Sequence, residues 1–210
     1  MTPQINRRDF ITQASSVLTL SIVGLGALDV ISCTNGKSFA TPAKTTVGTW
    51  RAQIAADNEP GERLVVSGRI FAPDGSTPME GITLYVYQTD ATGIYSATTP
   101  GDNRNTRLHG SMKTNSEGRY EFHTIKPGSY PGRKIPAHIH AYVSGPGYPE
   151  YWIDEYWFEG DPFITDADRR KVEAPQTFSP ILKLTRSSDG VLHGVRDIKI
   201  ERCSNNCTGR

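Results

Sequence analysis

The sequence has almost no net charge. Its 23 Lys and Arg against 22 Asp and Glu leave +1 at pH 7, which indicates neither a chain kept open by self-repulsion nor a strong electrostatic pull toward nucleic acid. Cysteine is scarce, 3 in 210 residues, so the fold must rest on a buried core rather than on covalent staples, and the length allows one. Segments with helical spacing of apolar residues are few and short, which excludes an all-helical bundle. A membrane-spanning run is missing as well: the apolar stretch over residues 17–28 falls short of the ~20 residues that a bilayer requires and is broken by Ser and Gly. Turn chemistry, by contrast, is plentiful. The 20 Gly and 14 Pro call for many turns between short strands.

Residues 1–33 read as a targeting segment, with Arg7-Arg8 in a polar start, then the apolar stretch, then small residues up to Cys33. Asn6-Arg7-Arg8-Asp9-Phe10-Ile11 resembles the twin-arginine export signal; an ordinary Sec signal is the alternative. Val30-Ile31-Ser32-Cys33 looks like a bacterial lipobox, whose Cys becomes the lipidated first residue of the mature protein, unless Cys33 is simply cleaved away with the leader. A lipid on Cys33 would be the only membrane contact of an exported, periplasmic or cell-surface protein. Residues 34–50 then form a flexible tether, residues 51–201 the folded domain and residues 202–210 a C-terminal tail. The tail's Cys203 and Cys207 are expected to form a small disulfide, because two thiolates alone do not fill a zinc site.

Within the domain, β-type runs at residues 64–71, 82–89, 119–125, 137–143, 178–185 and 191–200 alternate with turn clusters such as Asn115-Ser116-Glu117-Gly118 and Ser188-Asp189-Gly190. The last of these is a good hairpin turn. Only residues 166–172 look helical. This rhythm predicts an all-β fold, a β-sandwich of antiparallel sheets with few short helices.

His138-Ile139-His140 lies inside one of these runs, so the period of 2 puts both imidazoles on one face and offers two metal ligands. Two solvated polar residues would give the same pattern. Tyr95, ending Gly93-Ile94-Tyr95, and Tyr130, ending Lys126-Pro127-Gly128-Ser129-Tyr130, stand in loops after earlier strands. In these blocks the chain resembles the intradiol ring-cleavage dioxygenases, non-haem ferric enzymes that open catechols. Four blocks match in order, over roughly residues 61–162: the strand ending in Tyr95, the stretch from Gly118 to Pro131, Pro136-Ala137-His138-Ile139-His140, and Phe158-Glu159-Gly160-Asp161-Pro162.

The resemblance implies that Tyr95, Tyr130, His138 and His140 hold Fe(III), that Tyr130 also takes part in turnover by accepting a substrate proton, and that the substrates are a catechol and O2. The donor set suits that ion on chemical grounds, since phenolates are hard anionic donors that favour a ferric ion, whereas two imidazoles alone would take softer divalent ions. The chain departs from the family at two places. Ile135 stands where many members carry an Arg; Arg133 could supply that charge, with Lys134 a competitor. Glu155 stands where the family usually has Gln. His109, His123 and His193 lack metal-type partners, and Tyr85, Tyr87, Tyr151, Trp152, Tyr156 and Trp157 read as core or pocket wall.

The competing reading is a non-catalytic, transthyretin-like sandwich that binds at the cell surface. It shares the strand and turn rhythm but has no reason to place Tyr, Tyr and His-x-His at these four positions. Neither the particular catechol nor the oligomeric state is readable from the residues.

Overall fold

In the computed structural model, which describes residues 48–97, 99–172 and 178–201, short strands are distributed over two sheets. The targeting segment with Cys33, nearly all of the 34–50 tether, and Cys203 and Cys207 lie outside the described residues. No helix among the described residues is long and apolar enough to cross a membrane.

The first sheet is ordered β1 (Arg51–Gln53), β5 (Arg119–Ile125), β2 (Arg63–Phe71), β10 (Leu192–Val195) and β9 (Thr185–Arg186), with β11 (Ile198–Lys199) also paired to β2. The second is ordered β4 (His109–Lys113), β3 (Thr83–Gln88), β6 (His138–Gly145), β7 (Tyr148–Phe158) and β8 (Ile181–Leu182). The long central pairs are antiparallel, as is β9 with β10; β1 joins β5, β8 joins β7, and β10 and β11 join β2 in parallel. Period-2 alternation supplies the core between the sheets. Leu64, Val66 and Ile70 on β2, Tyr120 and Phe122 on β5, Leu84 and Val86 on β3, and Ile139, Ala141 and Val143 on β6 are all buried. A fully buried Leu, Ile, Val or Phe side chain stabilises by about 1.5–3 kcal/mol relative to exposure. The only α-helix among the described residues, α1 (Asp166–Lys171), starts at a capping box between Thr165 and Asp168.

Three segments differ from what their sequence predicts. The 178–185 run is two short strands, because the chain crosses there from the second sheet to the first, so its apolar residues serve both. The 191–200 run is interrupted after Val195, where the Asp197 carboxylate accepts from the Arg69 backbone N–H at 2.9 Å. The aromatic segment after His-x-His is an eleven-residue strand, β7. Its inward residues, Tyr151, Ile153, Tyr156 and Phe158, are not evenly spaced, because two residues, Asp154 and Glu155, stand opposite the single His140. That β-bulge hides the alternation from a reading of period 2.

Candidate metal centre

The site forms on the outer face of the second sheet, where β6 turns His138 and His140 away from the core. Two loops cover that face, and buried side chains hold the loops together. At the end of β3, Gln88 donates through Nε2 to the Ile125 carbonyl at 2.9 Å and accepts from Thr124 Oγ1 at 2.9 Å. This ties the exit of β3 to the exit of β5. Beyond it, the Gly128 N–H donates to the Asp90 carbonyl at 2.9 Å, and Thr89 Oγ1 donates to the Gly128 carbonyl at 3.0 Å. Glycine is required on both sides of this seam. Gly93 has φ of 83°, and a Cβ there would stand 1.9 Å from the Ser129 carbonyl oxygen; one on Gly128 would stand 2.6 Å from the Ala91 carbonyl oxygen. The seam brings Tyr95 and Tyr130 together over the histidines.

The Phe158-Glu159-Gly160-Asp161-Pro162 block fixes the other side. Asp161 Oδ2 accepts from the Ala137 N–H at 2.9 Å, so the residue just before His138 is pinned to the turn after β7. His138 Nδ1 lies 2.7 Å from the Pro136 carbonyl, which can only accept; Nδ1 therefore carries the proton and Nε2 presents a lone pair.

All four sequence-predicted ligands converge. Tyr95 Oη is 2.6 Å from Tyr130 Oη and 2.8 Å from His140 Nε2; Tyr130 Oη is 3.1 Å from His138 Nε2 and 3.3 Å from His140 Nε2; the two Nε2 atoms are 3.1 Å apart. Donors bound to one ion at about 2.0–2.2 Å stand roughly 3 Å from each other, so the spacing fits a single metal. Without an ion the two Nε2 atoms share at most one proton, one donating to the other.

Burial bears on the ionisation of these donors. Burial holds the Tyr95 phenol far above its ordinary value, and the Tyr130 hydroxyl adds to this. Burial also raises Tyr130, with the Tyr95 hydrogen bond and the Arg133 charge acting the other way. Burial lowers His138 and keeps it neutral. Burial thus disfavours the charged form of all three groups, so the phenols would ionise on binding a cation rather than before it.

Arg133 and Lys134 are exposed in the turn after Tyr130, closed by the Arg133 N–H donating to the Tyr130 carbonyl at 3.1 Å, and Ile135 is half-buried. Of these, the Arg133 charge is felt at the Tyr130 phenol.

Glu155, noted in the sequence only as a departure, is part of the site. Its Oε1 is 2.9 Å from His140 Nδ1 and 3.9 Å from His138 Nε2, and its Oε2 accepts from the Trp157 indole N–H at 3.2 Å. The His140 contact is close, though the ring N–H is not aligned for a straight hydrogen bond. Burial opposes ionisation of Glu155, but the His140 and His138 contacts outweigh it and hold the carboxyl below its ordinary value. His138, His140 and Glu155 together form a cluster able to hold a metal. Tyr87 stacks on His140 with ring centroids 4.4 Å apart, and the edge-on Trp152 ring is at 5.4 Å. The signal for Glu155 was an acid set among aromatics on the strand after His-x-His, but the bulge concealed which face it takes. His123 pairs with Glu121 on the first sheet, and His193 is exposed there, so neither approaches the site.

A two-sheet sandwich with two loop tyrosines over a His-x-His strand defines the class, and comparison with known proteins agrees. The Dioxygenase family model matches residues 35–190, and the chain belongs to the intradiol ring-cleavage dioxygenase family. It is 30% identical over 170 residues to chlorocatechol 1,2-dioxygenase of Rhodococcus opacus, covering 73% of this chain and 65% of that one. It is 34% identical over 115 residues to the protocatechuate 3,4-dioxygenase beta chain of Burkholderia cepacia, covering 50% and 48%. The dioxygenase domain of a carbohydrate-binding fusion from Streptomyces sp. SirexAA-E superposes with a TM-score of 0.56 at 25% identity, over 83% of this chain and 97% of that one. Catechol 1,2-dioxygenase from Acinetobacter sp. ADP1 shares the fold with a TM-score of 0.60 at 22% identity, over 78% and 60%. The chain spans about half the length of the first curated relatives it matches.

Proposed function

We propose that this chain holds one ferric ion through Tyr95, Tyr130, His138 and His140 and cleaves a catechol-type ring between its two hydroxylated carbons, adding both atoms of O2 to give a muconate-type diacid. The observation that carries the reading is the meeting of four donor atoms from two loops and one strand, each within 3.3 Å of the next. A ferric ion held there supplies Lewis acidity, drawing electron density from a bound catecholate so that its ring carbons become reactive toward O2.

The chain's own residues do the rest. Tyr95, His138 and His140 keep the site assembled, and the Pro136 carbonyl keeps His138 in the tautomer that presents Nε2. Tyr130 is the donor that takes part in turnover, and the turn that follows it is exposed. As a phenolate it accepts at Oη the proton of an incoming catechol hydroxyl. Arg133, always charged and two residues along that turn beyond Pro131, stabilises the anionic substrate oxygen. Burial of both histidines keeps bulk water from the ligand side.

Oxygen uptake by ferric-loaded protein with a panel of catechols tests the reading. The expected result is one O2 consumed per catechol and a diacid containing both oxygen atoms. Ring opening beside the diol rather than within it, or no uptake from any catechol, would contradict it.

We also infer export and lipid anchoring, supported by the Arg7-Arg8 pattern and the sequence around Cys33. Cys33→Ser is expected to move the protein from the membrane fraction to the soluble one; a protein that stays membrane-bound refutes the anchor.

A further inference from the structure

Glu155 is placed by a feature that the core actively maintains. The bulge sets Asp154 and Glu155 against His140, and the Glu155 side chain turns to the metal face with 19% of its surface exposed. A bulge interrupts the ladder, and here the Asp154 carbonyl accepts from Nη1 of Arg196 at 2.8 Å. Arg196 is itself buried, and its guanidinium lies 4.6 Å from the centre of the Tyr156 ring. A buried arginine thus reaches the bulge by passing a core aromatic ring, and the bulge aims one carboxylate.

That carboxylate lies between the Trp157 indole N–H and Nδ1 of His140. The Trp157 indole N–H can only donate, and it points at Oε2. His140 Nδ1 lies 2.9 Å from Oε1. An imidazole has one proton to place when neutral. If Nδ1 carries it, the N–H lies against the Oε1 charge 2.9 Å away, close but bent, and a small turn of the Glu155 carboxylate would straighten the bond, leaving Nε2 with the lone pair a metal needs; if Nε2 carries it, the proton stands among Tyr95, Tyr130 and His138 and ligation is lost. A carboxylate can accept on both oxygens. A carboxamide of the same shape can accept on one only, so its NH2 group must face either the indole N–H or Nδ1–H.

We propose that Glu155, oriented by Trp157, is a positioning residue that fixes His140 as the Nδ1–H tautomer and so presents Nε2 to the metal. The inference rests on the metal reading above and deepens it. His138 receives the same service from the Pro136 carbonyl. The two ligands are therefore set by different devices, a backbone acceptor for one and a charged side chain for the other. The charge on Glu155 also strengthens Nε2 of His140 as a donor, an effect that a backbone carbonyl supplies less strongly.

The test is iron affinity, measured by chelator competition on the full chain without turnover, for the parent, Glu155→Gln, Trp157→Phe and the double variant. Glu155→Gln is expected to weaken iron binding by about 10- to 100-fold, the range for losing the partner of a ligating histidine. Trp157→Phe is expected to change it by no more than a few fold. The double variant is expected to bind more tightly than Glu155→Gln alone, because with the indole donor gone the amide can turn its oxygen to Nδ1–H. A variant that merely misfolds cannot produce that rescue. Parent-like affinity in Glu155→Gln, or a double variant as weak as Glu155→Gln, overturns the proposal while leaving the metal reading intact. A parent that takes up no iron overturns both.

Discussion

The hydroxyl oxygens of Tyr95 and Tyr130 lie 2.6 Å apart although their loops leave different sheets, Tyr95 after β3 and Tyr130 after β5. This contact is the product of the seam beneath it, where Gln88, Thr89, Gly93 and Gly128 join the two strand exits. Burial raises both phenols above their ordinary value and so disfavours their phenolate forms until a positive charge stands beside them.

Gly93→Ala tests the seam. A left-handed backbone costs a residue with a Cβ about 1–2 kcal/mol, and here the added carbon would stand 1.9 Å from the Ser129 carbonyl oxygen. The loops must separate, so ferric affinity is expected to fall at least tenfold, with a lower melting temperature. Gly101→Ala is the control: its φ is 86°, but no atom lies within 4 Å of the added carbon. It is expected to lose stability modestly and keep its iron. Equal iron binding by both variants would show that the seam does not set the tyrosines.

The four donors should not be equivalent. Tyr95→Phe or His138→Ala removes a donor from the side of the site built on the strand and the Asp90 turn, and iron content is expected to drop sharply. Tyr130→Phe removes the donor next to an exposed turn and is expected to retain more iron while losing turnover, since no Oη remains to accept the substrate proton. Metal analysis and initial rates on the three variants decide the matter. Identical iron content and activity in all three would contradict the division of roles.

Arg133 and Lys134 are both exposed after Tyr130, and only the guanidinium presents fixed, paired donors. Arg133→Lys is expected to lower kcat/KM by about 10- to 1000-fold, the scale of losing one preorganised charge donor. Iron content and colour should be unchanged. A parent-like Arg133→Lys together with an inactive Lys134→Ala would reassign the charge to Lys134.

The sequence made part of this architecture legible. Strands β2, β3, β5 and β6 were readable as β-type runs bounded by turn residues, and the hairpin at Ser188-Asp189-Gly190 joins β9 to β10 as its turn chemistry requires. The tyrosines and histidines were readable as spaced blocks, and the structure brings all four together. Strand β7 was not, because the extra residue at Asp154 and Glu155 shifts its inward positions from a spacing of two to three. Glu155 was hidden with it. Nor could the residues of the 178–185 run reveal that they divide between two sheets, since crossing the edge of a sandwich leaves no periodic mark.

Ferric titration of the purified protein, followed by visible absorption and metal analysis, tests the central claim most directly. Two phenolates and two imidazoles around one ion predict saturation at about one Fe(III) per chain, with a red-brown colour from phenolate-to-iron charge transfer that vanishes when Tyr95 and Tyr130 are both changed to Phe. A protein that stays colourless through the titration, or whose colour survives the double substitution, would contradict the account.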